Sequence, residues 1–284
     1  MDDRLSAPVS VVIPCFRCAQ TVERAVFSIV QQTLLPEQVL LVEDCSGDAG
    51  ETLNSLYRIQ ASYGDRLNVK IIRLEKNGGP GVARNAGWEA AKSSYIAFLD
   101  ADDVWHPRKL EIQIAWMEAH PEVALTGTRT LVIERLEEAP VQLPPITVRK
   151  LAFSRMLVIN SIPTRSVVVR SNVPNRFLPG KRYSEDYLLW LSAIADGYQA
   201  FLLEVPLAYS FKRDFGVGGL SAHLWKFHCE VLDTYKRLYQ AGHINWVTHK
   251  FLGAYSFLKL MRRWFLRTLC LPDKIAHHLK PREQ

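Results

Sequence analysis

The sequence has few cysteines and no long apolar run. Five cysteines in 284 residues are few and odd in number, which argues against a disulfide scaffold and favours a reducing compartment. No stretch reaches the roughly 18 uncharged apolar residues that a membrane-spanning helix needs. The opening residues, MDDRLSAPVSVVIP, are acidic and then apolar, so we expect no secretory signal. These absences predict a cytoplasmic globular protein.

Acidic residues are scarce at the C-terminal end. Residues 246–284 contain eight Lys or Arg and two acids, whereas residues 1–245 contain 27 of each sign. The sequence pI of 9.1 therefore describes a neutral body with a basic tail. This distribution does not fit a protein that coats nucleic acid, and we expect no nucleic-acid partner.

Short β-rich runs alternate with helical patterns in the first half of the chain. Apolar and β-branched residues predict buried strands at 9–13, 39–42, 69–74 and 95–99. Apolar spacing predicts a helix over 22–30, and Pro80 begins another that runs toward residue 92. This alternation predicts an α/β fold with a mostly parallel sheet flanked by helices on both faces. Ligands of such sheets bind beyond the carboxyl ends of the strands.

The second half is less regular. Proline and charge dominate residues 134–150, which predicts a loop-rich connection. We predict strands at 166–170 and 199–203, a helix over 185–195, and a flexible FGVGGLS segment at 215–221. The remainder has a helical pattern. We therefore expect a catalytic α/β domain over residues 1–215 and a helical basic extension over residues 216–284.

Carboxylates cluster where two of the predicted strands end. Glu43 and Asp44 follow the second strand, and Asp100, Asp102 and Asp103 follow the fourth. Residues two apart on an extended segment point the same way, so Asp100 and Asp102 can face one ligand. Carboxylate oxygens suit Mg²⁺ or Mn²⁺ that is shared with substrate phosphates. The alternative is helix capping, which fits Asp103 ahead of Pro107.

Five segments occur in order along the chain: VSVVIPCF, LLVEDCSGD, NGGPGVARNAG, AFLDADD and SEDYLLWL. With these segments the chain resembles family 2 glycosyltransferases of the GT-A fold, of the type that serves bacterial polysaccharide biosynthesis. The resemblance extends over about residues 8–215. It implies an inverting enzyme that uses Mn²⁺ or Mg²⁺ to transfer one sugar from a nucleoside diphosphate sugar. We expect a UDP-sugar as donor and a hydroxyl of a glycan or lipid-linked molecule as acceptor.

The same resemblance implies roles for individual residues. It assigns Asp186 as the general base, with Glu185 beside it, and Asp102 as the metal ligand. The nucleotide-sugar site that it implies is formed by Pro14, Cys15, Phe16, Glu43, Asp44, Asn77, Arg84 and Asp100. Arg17, Glu43, Cys45, Gly47 and Ser184 depart from the family's usual residues, which bears on donor recognition more than on the reaction.

Other functions stay open at this point. A nucleotidyltransferase would also use acids and Mg²⁺, although IPCFRCAQ is a poor phosphate-binding loop. A catalytically inactive sugar-nucleotide-binding or membrane-associated protein is the alternative outside enzymes. Cys15 and Cys18 form a C-x-x-C that would suit a redox pair. His223, close to the glycine-rich segment, could approach the diphosphate or lie at the surface.

The predicted C-terminal helix is amphipathic. Lys259, Arg262, Arg263 and Arg267 share one face, and Phe257, Leu258, Met261, Trp264 and Phe265 share the other. This pattern is typical of a helix that lies in an anionic membrane surface. The alternative is a helix packed on the body of the protein with its charges in water. The first reading would make the protein peripheral on the inner face of the cell membrane.

Overall fold

Four parallel strands form the first half of the sheet. We analysed a computed structural model, which describes residues 6–140, 142–211 and 224–269. Strands β1 (Ser6–Cys15), β2 (Leu35–Glu43), β3 (Val69–Arg73) and β4 (Tyr95–Phe98) pair in parallel in the order β3-β2-β1-β4. All four predicted strands are confirmed, and β1 and β2 extend beyond their predicted ends.

The second half of the sheet is mixed. It contains β5 (Asp103–Trp105), β6 (Val123–Val132), β7 (Val148–Lys150), β8 (Val168–Arg170) and β9 (Gln199–Ser210). Strand β8 pairs antiparallel with β4, and the order continues β8-β6-β9-β5, with β7 beside β9. The predicted strand at 166–170 starts later, because residues Thr164–Ser166 form a 3₁₀ turn.

Six helices accompany this sheet: α1 (Val22–Val30), α2 (Glu51–Tyr63), α3 (Pro80–Ala90), α4 (Lys109–Ala119), α5 (Phe153–Met156) and α6 (Glu185–Ala195). The structure confirms the predicted bounds of α1 and α6. The sequence pattern did not predict α2, whose buried face includes Thr52 and Ser55 beside only two large apolar residues. It also missed α4, whose apolar residues are not confined to one stripe.

Alternate residues of β1 reach opposite faces of the sheet. On one face, Val11 belongs to a core that also takes residues of α1, α2 and α4. On the other face, Val12 lies under α3, where a Cβ on Gly87 would be only 2.3 Å from a Val12 methyl. Only glycine permits this close approach of helix and strand. Helices therefore cover both faces of the sheet, as predicted.

One sequence expectation for the DADD segment is wrong. Asp103 does not cap a helix: it is the first residue of β5, and its carboxylate pairs with Arg165 at 2.8 Å. Helix α4 begins later, at Lys109, and receives no side-chain cap. The predicted loop at 134–150 is confirmed in outline, because within its described residues only one 3₁₀ turn and β7 are regular.

The chain divides into two units, residues 1–213 and 214–284. In the second unit, α7 (Leu224–Gln240) and α8 (Trp246–Leu269) pack against each other. Tyr235 and Leu238 of α7 and Leu252 of α8 are buried, and His228 Nδ1 lies 3.0 Å from Ser256 Oγ. The predicted boundary at 215/216, the glycine-rich segment and His223 lie outside the described residues.

Neither described helix of this unit is a membrane span. Across the described ranges of the chain, no helix combines the length and the apolar character needed to cross a bilayer.

Candidate active site

The candidate site lies beyond the carboxyl ends of β1, β2 and β4. These neighbouring strands end at Cys15, Glu43 and Phe98, so the residues that follow them meet at one edge of the sheet. The Asp44 amide donates to the Cys15 carbonyl at 2.9 Å, which continues the pairing of β1 and β2 by one residue. The sheet therefore brings together the acids that the sequence pattern places at separate strand ends.

Asp44 holds the glycine-rich loop that precedes α3. One carboxylate oxygen accepts from the Gly78 amide at 2.7 Å, and the other accepts from the Gly79 amide at 2.8 Å and the Asn77 side chain at 3.0 Å. Burial raises the pKa of Asp44, although these amides and the charge of Arg182 oppose the shift. Arg182 also donates to the Asn77 side-chain oxygen at 2.8 Å.

Glu43 binds the loop that follows β2. Its carboxylate accepts from the Ser46 amide at 2.7 Å.

Arg84 joins two acids that are far apart in the chain. From the middle of α3, its Nη2 donates to Asp100 Oδ1 at 2.7 Å and its Nη1 donates to Glu185 Oε1 at 2.8 Å. The Arg84 side chain is 6% exposed, and the two carboxylates hold its pKa above the usual arginine value despite burial. The two charged hydrogen bonds from Nη1 and Nη2 offset the cost of burying the guanidinium.

Two of the three acids of the DADD segment, Asp100 and Asp103, pair with arginines. Burial alone would raise the pKa of Asp100, but Arg84 and Arg165 hold it below its usual value. Arg165 Nε lies 4.0 Å from Asp100 Oδ2 and 2.8 Å from Asp103 Oδ2. Asp102 is partly exposed, and Arg24 Nη2 donates to its backbone carbonyl at 3.0 Å.

Glu185 and Asp186 stand at the start of α6 but have different surroundings. Glu185 is buried and pairs with Arg84. Asp186 is partly exposed, and its Oδ2 accepts from the Thr164 hydroxyl at 3.0 Å while its Oδ1 accepts from the Tyr187 amide at 2.7 Å. Burial raises the pKa of both carboxyls, and Arg84 opposes the shift in each. Repulsion from Asp100 also raises the pKa of Asp186, so the strand-end acids and the α6 acids form one cluster.

The carboxylates of this site could supply only some of the ligands of a metal ion. Among the residues that the structure describes, no group of three or more His, Cys, Asp or Glu could hold a metal ion. Arginines engage Asp100, and Asp102, two residues further on, is partly exposed. Mg²⁺ and similar ions are commonly bound by one or two carboxylates, with substrate phosphates and water completing the shell. Asp102 with Asp100 beside it fits that arrangement.

Comparison with known proteins identifies the family. The model of glycosyl transferase family 2 matches residues 10–169, which is more than half of the chain. The chain belongs to glycosyltransferase family 2.

Two curated relatives share this family's sequence features. The amylovoran biosynthesis glycosyltransferase AmsE of Erwinia amylovora is 32% identical over 187 residues, which cover 63% of this chain and 66% of that relative. The UDP-Glc:alpha-D-GlcNAc-diphosphoundecaprenol beta-1,3-glucosyltransferase WfgD of Escherichia coli is 28% identical over 196 residues, which cover 69% of this chain and 72% of that protein.

Solved structures show the same fold at low identity. TarS of S. aureus in complex with UDP-GlcNAc superposes with a TM-score of 0.66 at 19% identity, covering 88% of this chain and 71% of TarS. The mannosyltransferase PcManGT of Pyrobaculum calidifontis, in complex with GDP-Man and Mn²⁺, gives a TM-score of 0.62 at 17% identity, covering 98% and 79%. The mixed sheet with flanking helices is therefore the GT-A fold of this glycosyltransferase family.

In this family 2 glycosyltransferase, the residues expected around the nucleobase lie at the end of β1, with Pro14 and Cys15 in the strand and Phe16 directly after it. The Cys15 side chain is buried and contacts the Ile13 carbonyl at 3.4 Å, so it faces the core. Phe16 is 46% exposed, and Pro14 is partly exposed. Burial raises the pKa of the Cys15 thiol well above its usual value, which disfavours the thiolate that redox chemistry needs. The C-x-x-C therefore suits packing in the core better than it suits thiol–disulfide exchange.

The sequence analysis missed the 3₁₀ turn at Thr164–Ser166, which supplies Thr164 and Arg165 to the site. The place of Arg165 beside Asp100 follows from the strand pairing, which the sequence pattern does not specify. Strand β8 runs antiparallel to β4 with Ala97 opposite Val168, and the Phe98 amide still donates to the Val167 carbonyl at 3.2 Å. Counting on, residue 165 comes opposite residue 100. An arginine three residues before an antiparallel neighbour of β4 therefore meets the acid that follows β4.

The Arg84 bridge gives the first prediction. Replacing Arg84 with Gln leaves the buried Glu185 and the partly exposed Asp100 without their shared cation, so we expect the free energy of unfolding to fall by about 3 kcal/mol. Arg84→Lys should recover only part of this, because one ammonium lacks the two-pronged geometry of guanidinium. Urea denaturation followed by circular dichroism measures both changes.

The matched control for this prediction is Arg108→Gln. Arg108 pairs with Glu111 on the surface of α4 at 2.8 Å, and its side chain is 52% exposed. Exposed pairs of this kind contribute at most about 1 kcal/mol. Equal losses in R84Q and R108Q would contradict the role given to the buried bridge.

Proposed function

We propose that this family 2 protein is a metal-dependent inverting glycosyltransferase. It moves a single sugar from a nucleoside diphosphate donor, a UDP-sugar, to a hydroxyl of a glycan or lipid-linked acceptor. The observation that carries this proposal is the Arg84 bridge, which joins Asp100 on the donor side to Glu185 beside Asp186 at 2.7 and 2.8 Å. Acids with different environments in one cluster suit a reaction that needs both a charge-stabilised leaving group and a base.

The proposed reaction is a single displacement. The acceptor oxygen forms a bond to the anomeric carbon of the donor sugar as the bond from that carbon to the phosphate oxygen breaks. The acceptor proton passes to a carboxylate of the protein, and the bonding electrons leave with the nucleoside diphosphate. Attack from the face opposite the leaving group inverts the anomeric centre, so one base is sufficient and no enzyme nucleophile is needed.

Asp186 suits the role of base better than Glu185. Glu185 is buried and forms an ion pair with Arg84. Asp186 is partly exposed, and burial raises the pKa of its carboxyl. A raised pKa makes the carboxylate a stronger base at neutral pH. Glu185 then serves to fix Arg84, and through it Asp100, next to the base.

The proposed cation is Mn²⁺ or Mg²⁺, held by Asp102 with Asp100 beside it. When bound, such an ion supplies positive charge that offsets the charge developing on the leaving diphosphate. Arg24 and Arg84 hold the DADD segment from its backbone and from the Asp100 carboxylate. The Mn²⁺ in the PcManGT structure supports the proposal at the level of the shared fold.

The donor and acceptor classes rest on the relatives. The name of WfgD specifies UDP-Glc as its donor and a diphosphoundecaprenol-linked sugar as its acceptor. We extend this to a UDP-sugar and a lipid-linked or glycan acceptor here. In this proposal Pro14, Cys15 and Phe16 line the nucleobase pocket, in part through their backbone. Glu43, Asp44 and Asn77 shape the loops around the nucleotide sugar.

The base assignment is tested by replacing Asp186 with Asn. We expect turnover to fall by about 10²–10⁴-fold while UDP binding stays within twofold, because the amide cannot accept the proton but preserves shape. In the wild type, activity should be lost on the acid side as pH falls through the raised pKa of Asp186, since only the ionised form is a base. Initial rates across pH and UDP titration calorimetry measure these outcomes.

Glu185→Gln provides the contrast. It should lower stability through loss of the Arg84 pair, yet keep measurable turnover. Full activity in D186N would overturn the assignment of the base. Loss of UDP binding together with turnover in D186N would indicate that Asp186 supports the donor pocket instead.

The donor and metal are tested by thermal stability. We expect UDP with Mn²⁺ to raise the melting temperature more than GDP, CDP or dTDP, because a ligand that binds only the folded state stabilises it by mass action. Asp102→Asn should remove most of the Mn²⁺-dependent part of the UDP shift. Glu118→Gln, an exposed position on α4, removes the same charge and should leave that shift unchanged. Equal shifts in D102N and wild type would contradict the metal assignment.

We also propose that the protein acts at the inner, anionic face of the cell membrane. On α8, eight large apolar side chains between Trp246 and Phe265 are 47–67% exposed. At 100° per residue they share an arc of about 140°. The residues are Trp246, Val247, Phe251, Phe257, Leu258, Met261, Trp264 and Phe265.

The charges of α8 favour lipid over another protein as the occupant of this arc. Residues 246–269 contain five cations and no acid. Lys250 and Arg262 are exposed, whereas Lys259 and Arg263 are half-buried and Arg263 lies over the Phe227 ring at 5.6 Å. The sequence alternative of a helix with its charges in water and its apolar face packed away is therefore disfavoured. Exposed aromatics with flanking cations are typical of interfacial helices.

Liposome flotation tests the membrane proposal. We expect the chain to float with vesicles that contain phosphatidylglycerol and to bind pure phosphatidylcholine vesicles less. The double substitution Leu258→Gln and Trp264→Gln should release it, because the inserted area is lost. Leu136→Gln, at an exposed apolar site of the other unit, should float like wild type. Equal flotation of the double variant, or a dimer that the double variant dissociates, would contradict this proposal.

A further inference from the structure

One three-residue turn contacts both sides of the candidate site. In the Thr164–Ser166 turn, the Thr164 hydroxyl donates to Asp186 at 3.0 Å. The next residue, Arg165, lies 2.8 Å from Asp103 and 4.0 Å from Asp100 through its Nε. Consecutive side chains of one turn thus reach the proposed base and the acids that follow β4.

The backbone of this turn is anchored from outside the acid cluster. Trp105 Nε1 donates to the Arg165 carbonyl at 2.8 Å. The Ser166 carbonyl accepts from Gln113 Nε2 at 3.1 Å and from the buried Lys109 ammonium at 3.3 Å. Within the turn, the Ser166 amide donates to the Pro163 carbonyl at 2.9 Å. Strand β5 and helix α4 therefore fix the turn independently of Asp186.

A neighbouring strand restricts the approach to the turn further. A Cβ on Gly127 of β6 would lie 2.2 Å from Ile162 Cγ2 and 3.4 Å from Ser166 Oγ. The segment that leads into the turn therefore lies directly on the backbone of β6. Because the turn is held on three sides, it has little freedom to move. The turn therefore sets the positions of Asp186 and of the DADD acids that it contacts.

We infer that the Thr164–Ser166 turn is a positioning element that holds the base and the donor-side acids in register. Thr164 orients the Asp186 carboxylate, and Arg165 holds the DADD segment through Asp103. This inference rests on the proposed function, because it concerns the same reaction. It adds that the register between the two sides depends on a turn outside the residues proposed to bind the donor and the metal.

The charges facing Asp186 come from three elements. Arg84 on α3 favours its ionised form, and Asp100 after β4 and Glu185 on α6 disfavour it. The Thr164 hydrogen bond also favours the ionised form. Removing that hydroxyl while these charges stay in place should therefore make Asp186 easier to protonate.

The test uses Thr164→Val, which has nearly the same shape and lacks the hydroxyl. We expect the acid limb of the kcat–pH profile to move up by about one pH unit, a tenfold change in proton affinity. UDP affinity should stay within twofold of wild type. Thr164→Ser restores the hydroxyl and should return the limb to its wild-type position, which a purely steric role of Thr164 would not produce.

A measurement without turnover separates failure of this inference from failure of the proposed function. Aspartate labelled with ¹³C at its carboxyl gives an NMR titration of Asp186, assigned by the signal that D186N removes. We expect the Asp186 midpoint to be higher in T164V than in wild type or T164S. An unchanged midpoint would overturn the inference even if transfer is observed, and a raised midpoint would support it even if no acceptor has been found.

The role of Arg165 is tested by replacing it together with its partner, Asp103. The double substitution Arg165→Gln and Asp103→Asn avoids leaving a buried charge without a partner. We expect a higher KM for the donor with the acid limb of kcat unmoved, the converse of T164V. If both variants lower kcat alike with no change in KM or in the pH limb, the turn is merely structural.

Discussion

The buried guanidinium of Arg84 is the constraint on which the site depends. It comes from α3, and its two hydrogen bonds of 2.7 and 2.8 Å reach a residue that follows β4 and a residue that begins α6. These two acids are 85 positions apart in sequence numbering, at 100 and 185. Without a shared cation, bringing them together in a buried setting would cost several kcal/mol in desolvation and repulsion.

The Arg84 bridge also separates the carboxylates of the site into two groups. Asp100 and Glu185 both pair with Arg84, which favours a structural role for these two acids. Asp102 and Asp186 are partly exposed. In the proposed reaction, the base and the metal ligand therefore each lie within two residues of an acid that pairs with Arg84. This arrangement explains why the acids occur in closely spaced groups on two elements.

The sequence pattern was most informative where strands are buried on both faces. The runs that became β1 to β4 contain few polar residues, so their places in the chain and their parallel pairing could be predicted, and so could the acids at their ends. Helix α6 was equally clear, from its acidic start and its apolar body. The glycosyltransferase family itself could be identified from five short segments in order.

What could not be predicted depends on pairing between distant elements. Arg165 reaches Asp100 only because β8 runs antiparallel beside β4, and no periodicity in the chain specifies that neighbour. Helix α2 covers the sheet with hydroxyl-bearing residues, so its buried face lacks an apolar signature. On α8, a helical wheel separated the apolar arc from the basic one, but only the packing of α7 decides which of them faces solvent.

The loop at residues 77–79 has a consequence for how this enzyme handles anions. Glycine-rich turns before helices often bind phosphate through their backbone amides. Here the amides of Gly78 and Gly79 already point at Asp44, at 2.7 and 2.8 Å. An anion entering this turn would have to displace a carboxylate that belongs to the protein. Inorganic phosphate and sulfate should therefore be weak competitors at this turn, and inhibitors aimed at it would do better with a neutral or cationic group.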